Sequence, residues 1–401
     1  MRFSNVIEGG RLAGAGLKDF ARSIANPTLR LGVTGLSGAG KTVFITALVH
    51  ALLRGGRLPA FEALSAGRIG RVYLEPQPAG DLPRFAYEEH LAALTGPDRH
   101  WPQSTRHISQ LRLTIEYTPR GFLARRLGRG RLHVDIVDYP GEWLLDLPMM
   151  QMSYAEWSAA TLASGRPGNA PPLPFKALNG PESAEMALRY SAHVEKVVKP
   201  FFYDHFARLD RQIVLVDVLN SLNEGASAVT ALQSTLTQIL SCFRQGSNSL
   251  FTGLFGHRIE RILFAATKAD LLHHTSHDRL EAILSAITAA AAKRAEYSGA
   301  NVSVAAIAAI RATREATVQG LDCVVGQPEN HQMIGETIFD GETEAAIFPG
   351  DLPRDAAHAF DGSLAGHLEF VGFRPPLQKH GSLPHIRLDR VLEFLIGDRL
   401  A

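Results

Sequence analysis

The sequence predicts an α/β fold: a mostly parallel sheet with an antiparallel edge hairpin, a helical insertion and a small antiparallel β insertion. Three observations predict it. Leu29 to Thr34 is a short apolar run that passes through a glycine-rich turn into the helical pattern Lys41 to Arg54, which Gly55 and Gly56 stop. From Gln212 to Ile307, strand-length apolar runs alternate with helix-length amphipathic ones, the rhythm that right-handed crossovers impose on parallel strands. Between these regions, Leu111, Leu113, Ile115 and Tyr117 alternate with Arg112, Thr114 and Glu116, and the apolar run Leu132 to Val137 follows. The pair reads as a hairpin whose first strand is half exposed at the sheet edge.

The order of segments follows from these anchors. Residues 1–28 read as an N-terminal arm in which Val6, Ile7, Leu12, Leu17, Phe20 and Ile24 make a weakly amphipathic stretch interrupted by glycines. Residues 29–145 form the first part of the core, with Phe85 to Leu94 as a helix and no clear pattern elsewhere between 57 and 100. Residues 146–210 form a helical insertion: a Pro/Gly-rich middle and then the helical run Glu182 to Leu209. Residues 211–317 return to the core, with strands Gln212 to Val218, Ile259 to Ala266 and Asn301 to Ile307 and helices Ala228 to Phe243 and Asp278 to Glu296. Residues 318–380 break the rhythm with strand-like runs at Val318 to Val325, Met333 to Phe339, Glu344 to Phe348 and His367 to Phe373. Asp340-Gly341 is a hairpin signal between the middle two. Residues 381–401 carry Leu388, Val391, Leu392 and Leu395 at helical spacing, a final helix able to pack on the core.

Composition excludes several classes. Of 401 residues 45% are hydrophobic and 20% charged, an ordinary globular balance, and 41 basic against 40 acidic residues give no nucleic-acid signal. Two cysteines, Cys242 and Cys323, make neither a disulfide framework nor a zinc site, which fits a reducing, cytoplasmic compartment. No run reaches the length of about 18 apolar residues that a membrane helix needs, so membrane contact would be peripheral, through the N-terminal arm.

Gly35-Leu36-Ser37-Gly38-Ala39-Gly40-Lys41-Thr42 matches the phosphate-loop pattern in its required strand-to-helix setting. The glycines let successive backbone N–H groups turn toward phosphates, so Ser37, Gly38, Ala39, Gly40 and Val43 are expected around them. Lys41 would meet the β/γ oxygens, and Thr42 would offer its hydroxyl to Mg2+. Asp138-Tyr139-Pro140-Gly141 closes the second apolar run, where the aspartate can stand near the metal and the Gly141 N–H near the γ-phosphate. Asp135 is a rival for the metal role, and Asp138 is preferred. Thr267-Lys268-Ala269-Asp270 ends another strand and resembles the guanine-reading [NT]-K-x-D element. A carboxylate there accepts from both the ring N–H and the exocyclic amine of guanine, a pair that adenine cannot supply.

These elements, in this order, look like a Ras-type GTPase core. With Trp101-Pro-Gln-Ser-Thr105, Asp138-Tyr-Pro-Gly-Glu-Trp-Leu-Leu-Asp-Leu-Pro148 and the Thr267 to Asp270 run, the chain resembles the YcjX-like family of bacterial P-loop GTPases over nearly its full length. The resemblance implies GTP or GDP with Mg2+ as ligands, slow hydrolysis, an unidentified protein effector or activator, a role in stress response, and a location in the bacterial cytoplasm or peripheral to the inner membrane. It implies Thr105 as the first-switch threonine on the metal, with Ser104 and Ser109 as alternatives. It places Glu142 where small GTPases usually carry a water-orienting glutamine, so a catalytic role and a helix-start role both stay open. It also places the base-backing loop at Ala308 to Arg311, with Ala309 and Ile310 beside the base, although the usual Ser-Ala-Lys is absent.

Two rival functions stay in view, an ATP-dependent small-molecule kinase and a nucleotide-binding scaffold with little turnover. Two clusters need structural placement. Arg120, Arg125, Arg126, Arg129 and Arg131 crowd the hairpin, either as an acidic-partner surface or as a solvated edge. His273, His274 and His277 lie together at a spacing that fits no standard zinc motif.

Overall fold

A computed structural model describes residues 27–77, 82–103, 107–120, 129–163, 181–241, 259–361, 368–377 and 381–401. The main sheet contains β1 (Thr28–Gly35), β2 (Ile69–Glu75), β3 (Ser109–Tyr117), β4 (Gly130–Asp138), β5 (Arg211–Val216), β6 (Arg261–Ala266) and β7 (Asn301–Ala306). Their order across the sheet is β2-β3-β4-β1-β5-β6-β7. The run from β4 to β7 is parallel, and β2 and β3 are antiparallel additions at one side. This is a P-loop NTPase fold.

Alternation along the strands sorts their side chains onto two faces. On one face, Leu31, Val33, Ile213, Leu215 and Leu263 pack with the Lys41–Arg54 helix and with Leu388, Val391, Leu392 and Leu395 of the C-terminal Leu388–Ile396 helix. On the other, Val214, Val216, Ile262 and Phe264 pack with the helices Val218–Glu224, Ala226–Ser241 and His277–Tyr297. The C-terminus is further tied down by ion pairs. The fully buried Arg211 guanidinium meets Glu260 and, at 2.8 Å, Asp398.

β3 departs from the half-exposed edge strand that its alternation predicts. Two causes act together. β2 occupies the true edge, and the polar face of β3 is paired across to β4: Arg112 with Asp135 at 2.6 Å, Thr114 with His133 at 2.8 Å, and Glu116 with Arg131 at 3.2 Å. Directly opposed residues satisfy one another, so alternation of polar and apolar residues marks two buried faces here. β2 itself was not apparent in sequence, because it carries Gly70 and a bulge between Ile69 and Arg71 and buries little of its surface.

The insertions also differ in detail. The helical run after Pro181 is an α-helix to His193 that loosens into π turns at Val194–Val198 and Phe201–His205. The run Val318 to Val325 is no single strand: β8 (Arg314–Val318) and β9 (Leu321–Gly326) form a hairpin through Gln319 and Gly320, both at positive φ. β10 (Met333–Ile334) and β11 (Thr337–Ile338) pair only with each other, and β12 (Ala345–Ile347) pairs with β9. Asp340-Gly341 therefore turns the chain without joining two paired strands. The Asp340 carboxylate binds the Glu342 and Thr343 N–H groups at 2.8 and 2.9 Å, an Asx-type turn that local hydrogen bonding explains. Within His367 to Phe373, the described residues make one bridge, Phe373 to Pro328, instead of a strand. Residues 1–26 of the N-terminal arm, Cys242, Arg125 and Arg126 lie outside the described residues, and Thr28, placed at the end of the arm, opens β1. Cys323 is buried in β9, as its apolar setting implies.

Candidate functional site

The phosphate-loop motif folds as its glycines require. Gly38 and Gly40 sit at φ 78° and 83°, a left-handed backbone that side chains resist, and Gly40 leads into the Lys41–Arg54 helix. The turn aims backbone N–H groups and the positive end of the helix at one point, an arrangement suited to anions. Lys41 is buried, and its Nζ donates to the Gly35 carbonyl at 2.9 Å and the Leu36 carbonyl at 3.3 Å.

Asp138 ends β4 beside Val33 of β1, immediately ahead of the phosphate loop, and is 1% exposed. Asp135 faces elsewhere, held by two bonds to Arg112 at 2.6 and 2.8 Å. Gly141 packs directly on the phosphate loop: a Cβ there would lie 2.6 Å from the Gly35 carbonyl oxygen and 2.9 Å from Ser37 N. Only a hydrogen fits, so the start of the Gly141–Asp146 helix is fixed against the loop by close backbone contact. The Thr42 hydroxyl, in the first turn of the Lys41–Arg54 helix, and the Asp138 carboxylate, at the end of β4, are hard oxygen donors, a set chemically suited to Mg2+. Thr105 and Ser104 lie outside the described residues, as does the Glu142 side chain. Ser109 lies within β3 opposite Asp138.

A cavity of about 460 Å³ runs from the loop (Gly38 to Phe44) to Thr267, Lys268, Asp270 and Ile307 to Ile310. Its volume falls in the range of small-molecule sites. Thus Gly38, Ala39, Gly40, Lys41, Thr42, Val43, Thr267, Lys268, Asp270, Ala309 and Ile310 are brought together around one space. Ser37, Asp138 and Gly141 lie outside its lining, on the side of the loop.

The far end of the cavity is held by backbone strain and burial. Lys268 adopts φ 61°, uncommon for a non-glycine residue, and its Nζ pairs with Asp217 at 2.5 Å, which stretches the lysine stem along the cavity wall. Asp270 is buried, and burial pushes its carboxyl up to about 6, while the Ala312 N–H, at 2.8 Å from Oδ2, pulls the other way. The same hydrogen bond orients the carboxylate. It leaves acceptor capacity for two more donors. Thr267 sits where its N–H caps the end of β5, at 3.0 Å from the Val216 carbonyl.

The YcjX-like family model (YcjX-like family, DUF463) matches residues 29–179 and 165–400. The chain belongs to the YcjX-like family. It is 34% identical to the Ras-like GTPase YcjX of Shewanella oneidensis, covering 94% of this chain and 95% of that one. It is also 34% identical to the Ras-like GTPase YcjX of Escherichia coli K12, covering 93% and 96%. Among solved structures, the signal recognition particle receptor SRb-GTP/SRX complex from Chaetomium thermophilum is 15% identical, with 70% of this chain and 91% of that one covered and a TM-score of 0.29.

In this YcjX-like chain several cavity residues carry no motif signal. Asp217 caps, and Asn220 and Asn223 belong to, the Val218–Glu224 helix after β5; Glu329 comes from the β insertion, and Phe370 to Phe373 from a loop near the C-terminus. Trp101 and Pro102 line the same cavity, and the Trp101 indole N–H donates to the Phe373 carbonyl at 2.7 Å, so these two residues and the Phe370 to Phe373 loop close the cavity jointly. The Glu329 carboxyl is held above its usual range by burial. The sequence signal available for these residues was weak. The Asp217 cap on the Val218–Glu224 helix, with its carboxylate accepting from Asn220 N at 3.1 Å, was the one readable feature.

The two unplaced clusters also resolve. Arg120 pairs with Glu62 and Arg131 with Glu116, so these members of the arginine group are engaged within the fold. His277 turns inward, its Nε2 at 2.8 Å from the Ala269 carbonyl, and burial holds it below its usual value. His273, mostly buried, and the exposed His274 both meet Glu315 of β8. No helix among the described residues is long and apolar enough to cross a membrane.

Proposed function

We propose that this chain binds GTP and GDP with Mg2+ and hydrolyses GTP slowly, as a nucleotide-controlled switch. One observation carries the reading: a single cavity is lined both by the phosphate loop and by a buried, pre-oriented Asp270. The phosphates would lie against the N–H groups of Ser37 to Val43, with Lys41 on the β/γ oxygens. The base would enter between Lys268 and Ala308 to Ile310, its ring N–H and exocyclic amine donating to Asp270. A buried aspartate left without those donors disfavours adenine by roughly a hundredfold.

Thr42 and Asp138 would hold Mg2+, joined by Thr105. The metal, when bound, neutralises charge on the phosphates. Gly141, fixed against the loop, would present its N–H to the γ-phosphate, and Glu142 would stand beside the attacking water. No arginine among the lining residues is placed to oppose charge on the transferred phosphoryl, which favours slow turnover raised by a protein activator. The names of the two relatives, both Ras-like GTPases, favour this reading over an ATP-dependent kinase or an inactive scaffold. A cytoplasmic, stress-linked role, with peripheral contact at the inner membrane, is the setting we infer from the family.

Competition between GDP and ADP for the purified chain tests this reading. Equal competition would return the kinase alternative.

A further inference from the structure

We propose that His273, His274 and Glu315 form a site for one divalent transition-metal ion of the zinc class, which pins the loop after Asp270 to β8. The site is separate from the phosphate-side oxygen donors Thr42 and Asp138. His273 and His274 follow the Asp270 turn, and Glu315 projects from β8, so the three ligands reach one point from two distant stretches of chain.

The geometry has the form of a metal-binding set. One ligand atom from each residue lies within 4.8 Å of the others. Glu315 Oε2 is 2.8 Å from His274 Nδ1 and 3.8 Å from His273 Nε2. Ligand atoms about 2.0 Å from a tetrahedral ion stand roughly 3.3 Å apart, so small adjustments would seat it.

The outer contacts make the same case independently. The second nitrogen of His273, Nδ1, lies 3.4 Å from Asp322 on β9 and 3.0 Å from Thr275 Oγ1, which directs Nε2 toward Glu315. A carboxylate behind an imidazole is the arrangement that fixes the tautomer of a ligating histidine. The other oxygen of Glu315 is 3.2 Å from Arg311, leaving Oε2 for an ion. Two nitrogens and one carboxylate select a borderline ion such as Zn2+ over Mg2+, which prefers oxygen. His274 is 65% exposed, so an entry path exists and water can complete the shell.

A bound ion would act on the base end of the cavity. Thr313 and Ala312, adjoining β8, both bond Asp270, through its carbonyl and its carboxylate. Anchoring β8 to His273 and His274 therefore stiffens the frame around that carboxylate.

The test uses the full, tag-free chain, stripped with EDTA and titrated with Co2+ in excess Mg2+, which occupies oxygen sites and leaves imidazole sites open. The visible d–d absorption of Co2+ should saturate at one ion per chain and be displaced by Zn2+. His274→Asn and Glu315→Gln should each weaken Co2+ by tenfold or more. Asp322→Asn, which lies outside the ligand set and meets the His273 imidazole and the Thr275 hydroxyl, should weaken it by about ten- to a hundredfold. Zn2+ should raise the melting temperature of the wild-type chain and not that of His274→Asn. Melting in EDTA reports whether a variant folds, and Glu315→Gln supplies the reading if His274→Asn does not. Equal Co2+ affinity in wild type and folded variants, or no saturable absorption, would overturn the proposal.

Discussion

The two ends of the cavity are made in different ways. At one end, Gly38 to Phe44 are consecutive residues whose backbone shapes the cavity wall, set by two left-handed glycines and a helix start. At the other, lining residues around Trp101, Asn220, Lys268, Ala309, Glu329 and Val371 converge from six stretches, and side chains would supply the chemistry. Local backbone geometry is robust to most substitutions outside its glycines. A surface assembled over long range depends on every strand and insertion that positions it.

The contrast predicts where binding breaks. Lys41→Ala should lose on the order of a hundredfold in triphosphate affinity, since a buried cation and its charge-assisted hydrogen bonds are removed at once. Calorimetry with a non-hydrolysable GTP analogue reads this, and unchanged affinity would sink the phosphate assignment. Thr42→Ala should mainly weaken the Mg2+-dependent part of that affinity. Gly141→Ala is the next largest effect: a methyl 2.6 Å from the Gly35 oxygen must push the loop or its own helix aside, at a cost of about 1–3 kcal/mol. It should weaken GTP-analogue binding by roughly tenfold while sparing discrimination between guanine and adenine. Loss of base discrimination in that variant would show that the two ends are not separable.

The base end should respond to pH where the phosphate loop does not. Asp270 titrates near 6 in the nucleotide-free protein because burial disfavours its charge. Its folded value exceeds the ordinary 3.8, so the stability this group lends is fully present below about pH 3.8 and is lost as pH rises through about 6. Guanine donors favour the carboxylate, so GDP binding releases the proton, and affinity should fall as pH drops through 6. The expected loss is about tenfold at pH 5 relative to pH 7, and Asp270→Asn should flatten that slope. The smallest effect concerns Trp143, which packs edge-on against Phe201 of the helical insertion, ring centroids 5.4 Å apart at 89°. Its fluorescence should differ by a modest fraction between GDP and a GTP analogue. Identical spectra would argue that the insertion does not sense the second switch.

How much could be read in advance follows the same division. The phosphate loop, the Asp138 strand end and the TKAD turn were legible because each is contiguous and each sits where a parallel strand meets a loop. The sheet core was legible for the same reason, since buried parallel strands are nearly continuous apolar runs. β2 escaped because an edge strand with Gly70 and a bulge leaves no alternation to find. The polar face of β3 misled because Arg112, Thr114 and Glu116 look solvated in one dimension, and only the β4 register shows Asp135, His133 and Arg131 opposite them. The β8–β9 turn was missed because Gln319-Gly320 lacks the usual Asn-Gly signature. Glu329 and Phe370 to Phe373 were illegible in principle, since their contact with the site depends on how the β insertion folds back.

Asp270 is the proposed reader of guanine, and competition of GDP against ADP for the wild-type chain tests that role most directly. We predict at least about a hundredfold preference for GDP at pH 7.5, reduced to near parity in Asp270→Ala, because the paired donors of guanine then meet no acceptor. Equal affinities for GDP and ADP in the wild-type chain would contradict it.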